Sequence, residues 1–142
     1  MDKDLSNLIK LHDWEVDEKR RKLGELLRLE ENLKAQALAL EKEVIDEQNV
    51  AKEMPDEGGY LYGQYAETVI QRRTRIADSL QQIEQAIHDA REELRLAYLE
   101  QKKYEVAQRS RNKKIWSKQQ RIDQAETDTV GLEVFRRKIN QH

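Results

Sequence analysis

Met54-Pro55-Asp56-Glu57-Gly58-Gly59 is the stretch on which the reading of this chain turns. It contains the only proline of a 142-residue sequence and two of its five glycines. Pro presets a turn and Gly permits one, so this is the one strong break signal, and it predicts a turn over about 54–60. On either side lie segments of roughly 50 and roughly 80 residues that can be read for periodicity without interruption.

Going back from the turn, Leu5, Ile9, His12, Val16, Lys19, Leu23, Leu26, Glu30, Leu33, Ala37, Leu40, Val44, Glu47 and Ala51 follow alternating steps of four and three. That spacing puts one residue per helical turn on a single face, the heptad seam of a coiled coil. His12, Lys19, Glu30 and Glu47 dilute it with polar groups, and Leu8, Leu27 and Leu29 widen the apolar face. Going forward, the same steps connect Val69, Arg73, Ile76, Leu80, Ile83, Ile87, Ala90, Leu94, Ala97, Gln101, Tyr104, Gln108, Arg111, Ile115, Lys118, Ile122, Ala125, Thr129 and Leu132. This second seam is apolar from Ile76 to Ala97 and mixed after Gln101. Acid-first pairs Glu15–Lys19, Asp17–Arg21 and Glu18–Lys22 mark an exposed helical face.

Two seams joined by one turn predict an all-α fold: a long two-helix antiparallel coiled-coil hairpin with an overhanging C-terminal helix. Helix 1 is expected over about 3–53 and helix 2 over about 61–135, in a single domain covering 1–142. With the apex near Glu57-Gly58, facing residue numbers add to roughly 115. Ile9 then faces the region of Tyr104, and His12 and Lys19 face the stretch containing Gln101 and Leu94. The first helix would run about 80 Å at ~1.5 Å per residue, and roughly 25–30 C-terminal residues would lack a facing helix within the chain.

Composition agrees. Charged residues make up 38% of the chain, with 26 Lys+Arg against 28 Asp+Glu, which favours long solvated helices over a compact globule. The absence of Cys excludes a disulfide framework and a thiolate metal site. No apolar run approaches the ~20 residues of a membrane span. The first residues do not read as a signal peptide, so the expected address is the cytoplasm.

Sites of chemistry are hard to find. His12, His88 and His142 have no His or Cys at metal spacing, and none has Glu three residues before it. Gly58, Gly59 and Gly63 form no phosphate-binding loop. Carboxylates are abundant but sit on faces where nothing desolvates them for acid–base work. A two-helix rod encloses no substrate pocket. The expectation is a protein with no catalytic activity, cofactor, metal or small-molecule substrate.

Charge and aromatic placement say more. Residues 101–122 carry Lys102, Lys103, Arg109, Arg111, Lys113, Lys114, Lys118 and Arg121 against Glu105 alone, while the rest of the chain is net acidic. Such a stripe is either a solvated face or a contact for an acidic partner. Nucleic acid is the weaker reading, since only Tyr104 and Trp116 are near enough for base stacking. Tyr60, Tyr62 and Tyr65 cluster after the turn, either packing the tip on Val50 and Met54 or forming a docking knob. They point in different directions on a helix, so at least one should be exposed. The tail residues Ile115, Trp116, Ile122, Leu132, Val134 and Phe135 either fray into water or are covered by a partner. A coiled-coil adaptor that self-associates through this tail is therefore an alternative function.

The order of these parts, together with Tyr62-Gly63-Gln64-Tyr65 leading into Ala66-Glu67-Thr68-Val69-Ile70, Lys102-Lys103-Tyr104-Glu105, and Gln120-Arg121-Ile122-Asp123-Gln124-Ala125, resembles the flagellar FliJ family of type III export, related to the YscO-type stalk proteins of injectisomes. The resemblance spans nearly the whole chain. It implies a non-catalytic antiparallel coiled coil similar to the central stalk of rotary ATPases. It implies that the open end, carrying both termini, enters the flagellar export ATPase hexamer, that the tip contacts the export gate membrane protein, and that export chaperones also bind. Carried over to this sequence, the tip contact is Tyr60, Tyr62, Tyr65 and Val69. The open-end contact is Leu5, Leu8, Ile9, Arg109, Arg111, Lys113, Lys114, Trp116 and Lys118. The implied location is cytoplasmic, at the cytoplasmic face of the inner membrane.

Overall fold

The computed structural model describes residues 2–141, with the side chains of 2–4 and 55–58 left out of the description; His142 lies outside the described residues. Two helices account for it: α1, Asp2–Glu53, and α2, Pro55–Asn140. They are 52 and 86 residues long. No strand occurs among the described residues.

The break between the helices is shorter than the sequence suggests. Only Met54 is non-helical, and its N–H donates to the Ala51 carbonyl at 3.3 Å to close the last turn of α1. The residues from Pro55 to Tyr60, all within the turn expected over about 54–60, have helical backbone. The reason is positional. Pro crowds the residue before it out of the helical region, which stops α1 at Met54. Pro itself is preset for the first position of a new helix, which starts α2 at once. No described glycine has positive φ.

The chain divides into two compact units, Trp14–Tyr98, and Met1–Asp13 with Leu99–His142. In the unit 14–98, α1 and α2 pack antiparallel. Lys19 Nζ reaches Glu93 Oε2 at 3.2 Å near one end, Arg72 Nη1 reaches Glu43 Oε2 at 2.9 Å further along, and Gln48 Nε2 donates to the Tyr62 hydroxyl at 2.8 Å near the break. Partners on α2 thus fall in number as those on α1 rise. The expected seam is the buried face. Val16, Leu40, Val44, Val69, Ile87 and Ala90 are buried, and Leu23, Leu26, Leu33, Ala37, Leu80, Ile83, Leu94 and Ala97 are half-buried. Leu40, Val44 and Val69 form a cluster on which Tyr65 and Ile76 pack.

Two seam residues of this unit depart from the pattern. Glu47 is exposed, and so is Arg73, whose guanidinium turns outward to clasp Glu41 with Nε at 2.6 Å and Nη2 at 2.7 Å. A long side chain can leave its stem along the seam and carry its charge to water. The local acid–base pairs also rearrange. Lys19 and Lys22 both cross to Glu93, at 3.2 and 3.1 Å, while Arg21 pairs one helical turn back with Glu18 at 3.0 Å. Arg20 lies over the Tyr98 ring at 5.0 Å, a cation–π contact between the helices.

In the unit formed by 1–13 and 99–142, Leu5 is buried, and the His12 and Tyr104 rings stack with centroids 4.6 Å apart at 14°. Gln101 Nε2 donates to Asp13 Oδ1 at 2.8 Å. The polar seam positions are therefore occupied by ring stacking and an amide–carboxylate hydrogen bond. Gln108 is half-buried; beyond it only Ser117 is, and all the rest of α2 to Gln141 is exposed.

Leu40 is 1% exposed and Leu38 is 74% exposed, two positions apart on α1. Leu40→Ala should cost about 2–4 kcal/mol in urea unfolding, and Leu38→Ala no more than about 0.5 kcal/mol. Equal losses at both positions would place the core on another face.

The carboxylates of the cross-helix pairs give a pH dependence of definite sign. The Arg73 fork holds the Glu41 carboxyl below its ordinary range, and hydrogen bonds from Lys22 and Lys19 do the same for Glu93. A group lowered on folding adds stability above its unfolded pKa, and that stability is lost as pH falls through the folded value. The melting temperature should hold above about pH 5 and decline as pH drops below about 4.3. Glu41→Gln with Glu93→Gln should lower the melting temperature at neutral pH and flatten the acid limb. An acid limb as steep as the wild type's would assign the effect to other carboxylates.

Candidate partner-binding surfaces

The first surface belongs to the unit 14–98, at the break between its helices. α2 begins at Pro55, so the tyrosines lie in its first turns and continue the seam backwards: Tyr62, Tyr65 and Val69 are spaced by three and four. Tyr62 and Tyr65 are half-buried, their rings 6.3 Å apart and tilted by 49°. The Tyr62 hydroxyl accepts from Gln48, and Tyr65 packs on the core cluster. Burial, reinforced by the Glu43 and Glu47 carboxylates, pushes the Tyr65 hydroxyl above its ordinary pKa. It stays protonated across the physiological range. Val69 is 3% exposed and belongs to the core, so it supports this surface from beneath and does not line it.

Tyr60 is off the seam and 71% exposed, its hydroxyl accepting from Gln64 Nε2 at 3.1 Å. It is the outward member of the three. Leu61, Val50 and Met54 are exposed as well, and with Glu47, Ala51, Tyr62 and Tyr65 the three border a shallow groove of about 200 Å³. Of the two readings of the tyrosines, packing on Val50 and Met54 holds only along this groove, since both apolar side chains remain largely in water. Leu61 flanks the tyrosines in the sequence but is not among the expected contact residues, although a leucine one step off the seam is the signal that marks it.

The second surface belongs to the unit formed by 1–13 and 99–142. Leu5 is buried and cannot itself be a contact, Ile9 is half-buried, and Leu8 is exposed. Arg109, Arg111, Lys113, Lys114, Trp116 and Lys118 are all exposed on α2. Helical spacing separates them into two rows. Arg109, Lys113 and Trp116 share one face, and Arg111, Lys114 and Lys118 share another. The basic charge therefore wraps the helix instead of collecting in one patch. Among the described residues, the ion pairs of this unit are Lys102–Glu105 at 3.3 Å, Arg109–Glu105 at 3.9 Å and Arg137–Glu133 at 4.0 Å. None of these involves Arg111, Lys113, Lys114, Lys118 or Arg121, whose charges are free to meet an acidic surface.

Both surfaces have the means to bind: apolar side chains held in water at the first, and unpaired cations in two rows, one of them beside Trp116, at the second. Among the described residues no group of His, Asp and Glu is arranged to hold a metal ion, and no helix is long and apolar enough to cross a membrane.

The split among the tyrosines is testable by unfolding. Tyr62→Ala with Tyr65→Ala should cost more than about 2 kcal/mol, since Tyr65 leaves a hole beside the Leu40 cluster and Tyr62 loses its half-buried packing on Tyr65 and its bond to Gln48. Tyr60→Ala should change stability by less than about 0.5 kcal/mol. Equal effects would mean that Tyr60 also packs between the helices.

A family model described as the flagellar FliJ protein matches residues 1–140. No curated protein and no solved structure matches the chain.

Proposed function

The chain belongs to the flagellar FliJ family, and we propose that it works in flagellar type III protein export as a non-catalytic, stalk-like coupling factor for the export ATPase ring. Family membership itself makes it a component related to flagellar export. The finer role rests on one observation: a stretch of α2 with exposed, unpaired cations in two rows, Lys113 beside Trp116 on one face and Arg111, Lys114 and Lys118 on the other. A ring with acidic groups facing its pore would attract such a helix at long range and desolvate the tryptophan at contact. Arg109 and Leu8 extend this contact in the proposal, with Ile9 at its edge. Leu5 serves it from beneath.

At the tip, Tyr60 with Leu61 is the part proposed to meet the export gate membrane protein. Tyr62, Tyr65 and Val69 hold that part in shape. Export chaperones complete the proposed set of partners, and the proposed location is the cytoplasmic face of the inner membrane. The overhang of α2 beyond its facing helix belongs to the same proposal, because a stalk needs a segment that is left for the ring.

The test is ATP hydrolysis by the assembled export ATPase with and without the full chain. Hydrolysis should rise on addition of the protein, and Lys113→Glu with Lys114→Glu and Lys118→Glu should abolish the rise while leaving the circular dichroism spectrum unchanged. Hydrolysis unaffected at saturating protein would sink the stalk role.

A further inference from the structure

The exposed end of α2 has a feature that binding to a ring does not call for: its charge changes sign at its middle. Residues 109–121 hold Arg109, Arg111, Lys113, Lys114, Lys118 and Arg121 and no acid. Residues 122–135 hold Asp123, Glu126, Asp128 and Glu133 and no base, and the basic Arg136, Arg137 and Lys138 follow them at the helix end. The boundary falls near the centre of the segment between Gln108, the last half-buried residue of the expected seam, and Asn140, the helix end. The heptad spacing also persists through this segment. Ile115, Ile122 and Leu132 keep the steps of the buried seam, yet they are 51%, 43% and 67% exposed.

We propose that this segment binds a second copy of the chain, as an antiparallel two-helix seam over residues 112–135. Reversal is what the charge pattern selects. A parallel pair would lay base on base and acid on acid, whereas an antiparallel pair lays the basic half of each copy along the acidic half of the other. Antiparallel seams alternate the two core positions of the heptad. The layering follows: Ile122 against Ala125 of the second copy, Ile115 against Leu132 of the second copy, and each contact repeated by the two-fold axis. At the flanks, Arg121 and Lys114 come beside Asp128 of the second copy. Asp128 Oδ1 accepts from Gln124 Nε2 at 3.0 Å, which leaves its other oxygen for a cation. Arg121 and Lys114 have no ion pair among the described residues of their own chain, so nothing must be broken to form these contacts.

This pairing shares Lys114 and its neighbours with the proposed ring contact, so one copy cannot make both at once, and it is tested with no ATPase present. Sedimentation velocity on the full chain is the first measurement. A dimer should appear as concentration rises through tens of micromolar, to roughly 200 µM, by mass action. Its dissociation constant should rise at least about tenfold in about 0.5 M salt, because exposed charge pairs are screened. Lys114→Glu with Arg121→Glu should return the chain to monomer, and adding Asp128→Lys should restore the dimer. Orientation is read by cross-linking, which the absence of native Cys makes clean. Mixed Ile122→Cys and Ala125→Cys chains should form the heterodisulfide in preference to either homodisulfide. Homodisulfides alone would mean a parallel pair and overturn the proposal. So would a chain that stays monomeric throughout that range, which would leave the face to a different protein or to an anionic lipid surface. A dimer indifferent to the charge reversals would overturn it as well, since the charge pattern is what assigns the partner.

Discussion

Everything in the 14–98 unit depends on a single strip of contact between α1 and α2. Two helices have one interface, so a side chain is either on that strip or in water. The strip is narrow at its apolar centre, where Leu40, Val44 and Val69 gather with Tyr65 and Ile76 against them. Burial of aliphatic side chains of this kind is worth about 1.5–3 kcal/mol each. The charge pairs beside it, Arg73 with Glu41 and Arg72 with Glu43, lie half in solvent. They contribute direction more than strength. A shift of α2 along α1 would keep most apolar layers in contact with some other apolar layer. It would separate these forks from their carboxylates and bring like charges together. The apolar strip therefore holds the helices, and the ion pairs choose the register.

That division of labour explains what could be read in advance. The seam was legible because its constraint is strict: in α1, from Leu5 to Val44, every position on the expected face is buried or half-buried, polar ones included. Even the pairing was legible to within a few residues, with Asp13 meeting Gln101 and His12 meeting Tyr104. The break was not. Proline followed by two glycines resembles a loop in composition, but the backbone physics of proline acts on the residue before it and permits a helix after it. Reading the turn as about 54–60 hid the fact that Tyr62 and Tyr65 continue the heptad of Val69. Had α2 been started at Pro55, two of the three tyrosines would have fallen on the seam and only Tyr60 outside it.

The candidate surfaces were legible as composition and illegible as geometry. The run of basic residues from Lys102 to Arg121 is plain in the sequence, but the continuous helix spreads it over two rows. The same holds for Leu5, Leu8 and Ile9. They look alike as apolar residues near one terminus, yet one is buried, one half-buried and one exposed. A heptad distinguishes seam from surface only where a second helix is present, and sequence alone does not say how far each helix accompanies the other.

The exposed end of α2 makes that last point sharper. A helix that only had to remain helical in water would need good helix formers and local charge pairs, and no spacing of apolar residues in particular. This segment instead keeps Ile115, Ile122 and Leu132 in step with the buried seam, although each leaves apolar area in water. The cost of that exposure is of the same kind as the gain that holds Leu40 in place. A periodic apolar row with no buried counterpart is thus half of an interface, in the same sense that either strip of the 14–98 unit would be half of one if its facing helix were removed. The charges around the row then limit what the other half can be. Basic along one stretch and acidic along the next, it discriminates against a uniformly charged surface over its full length, and it favours either an acidic partner confined to the first stretch or a partner whose own charge reverses at the same place.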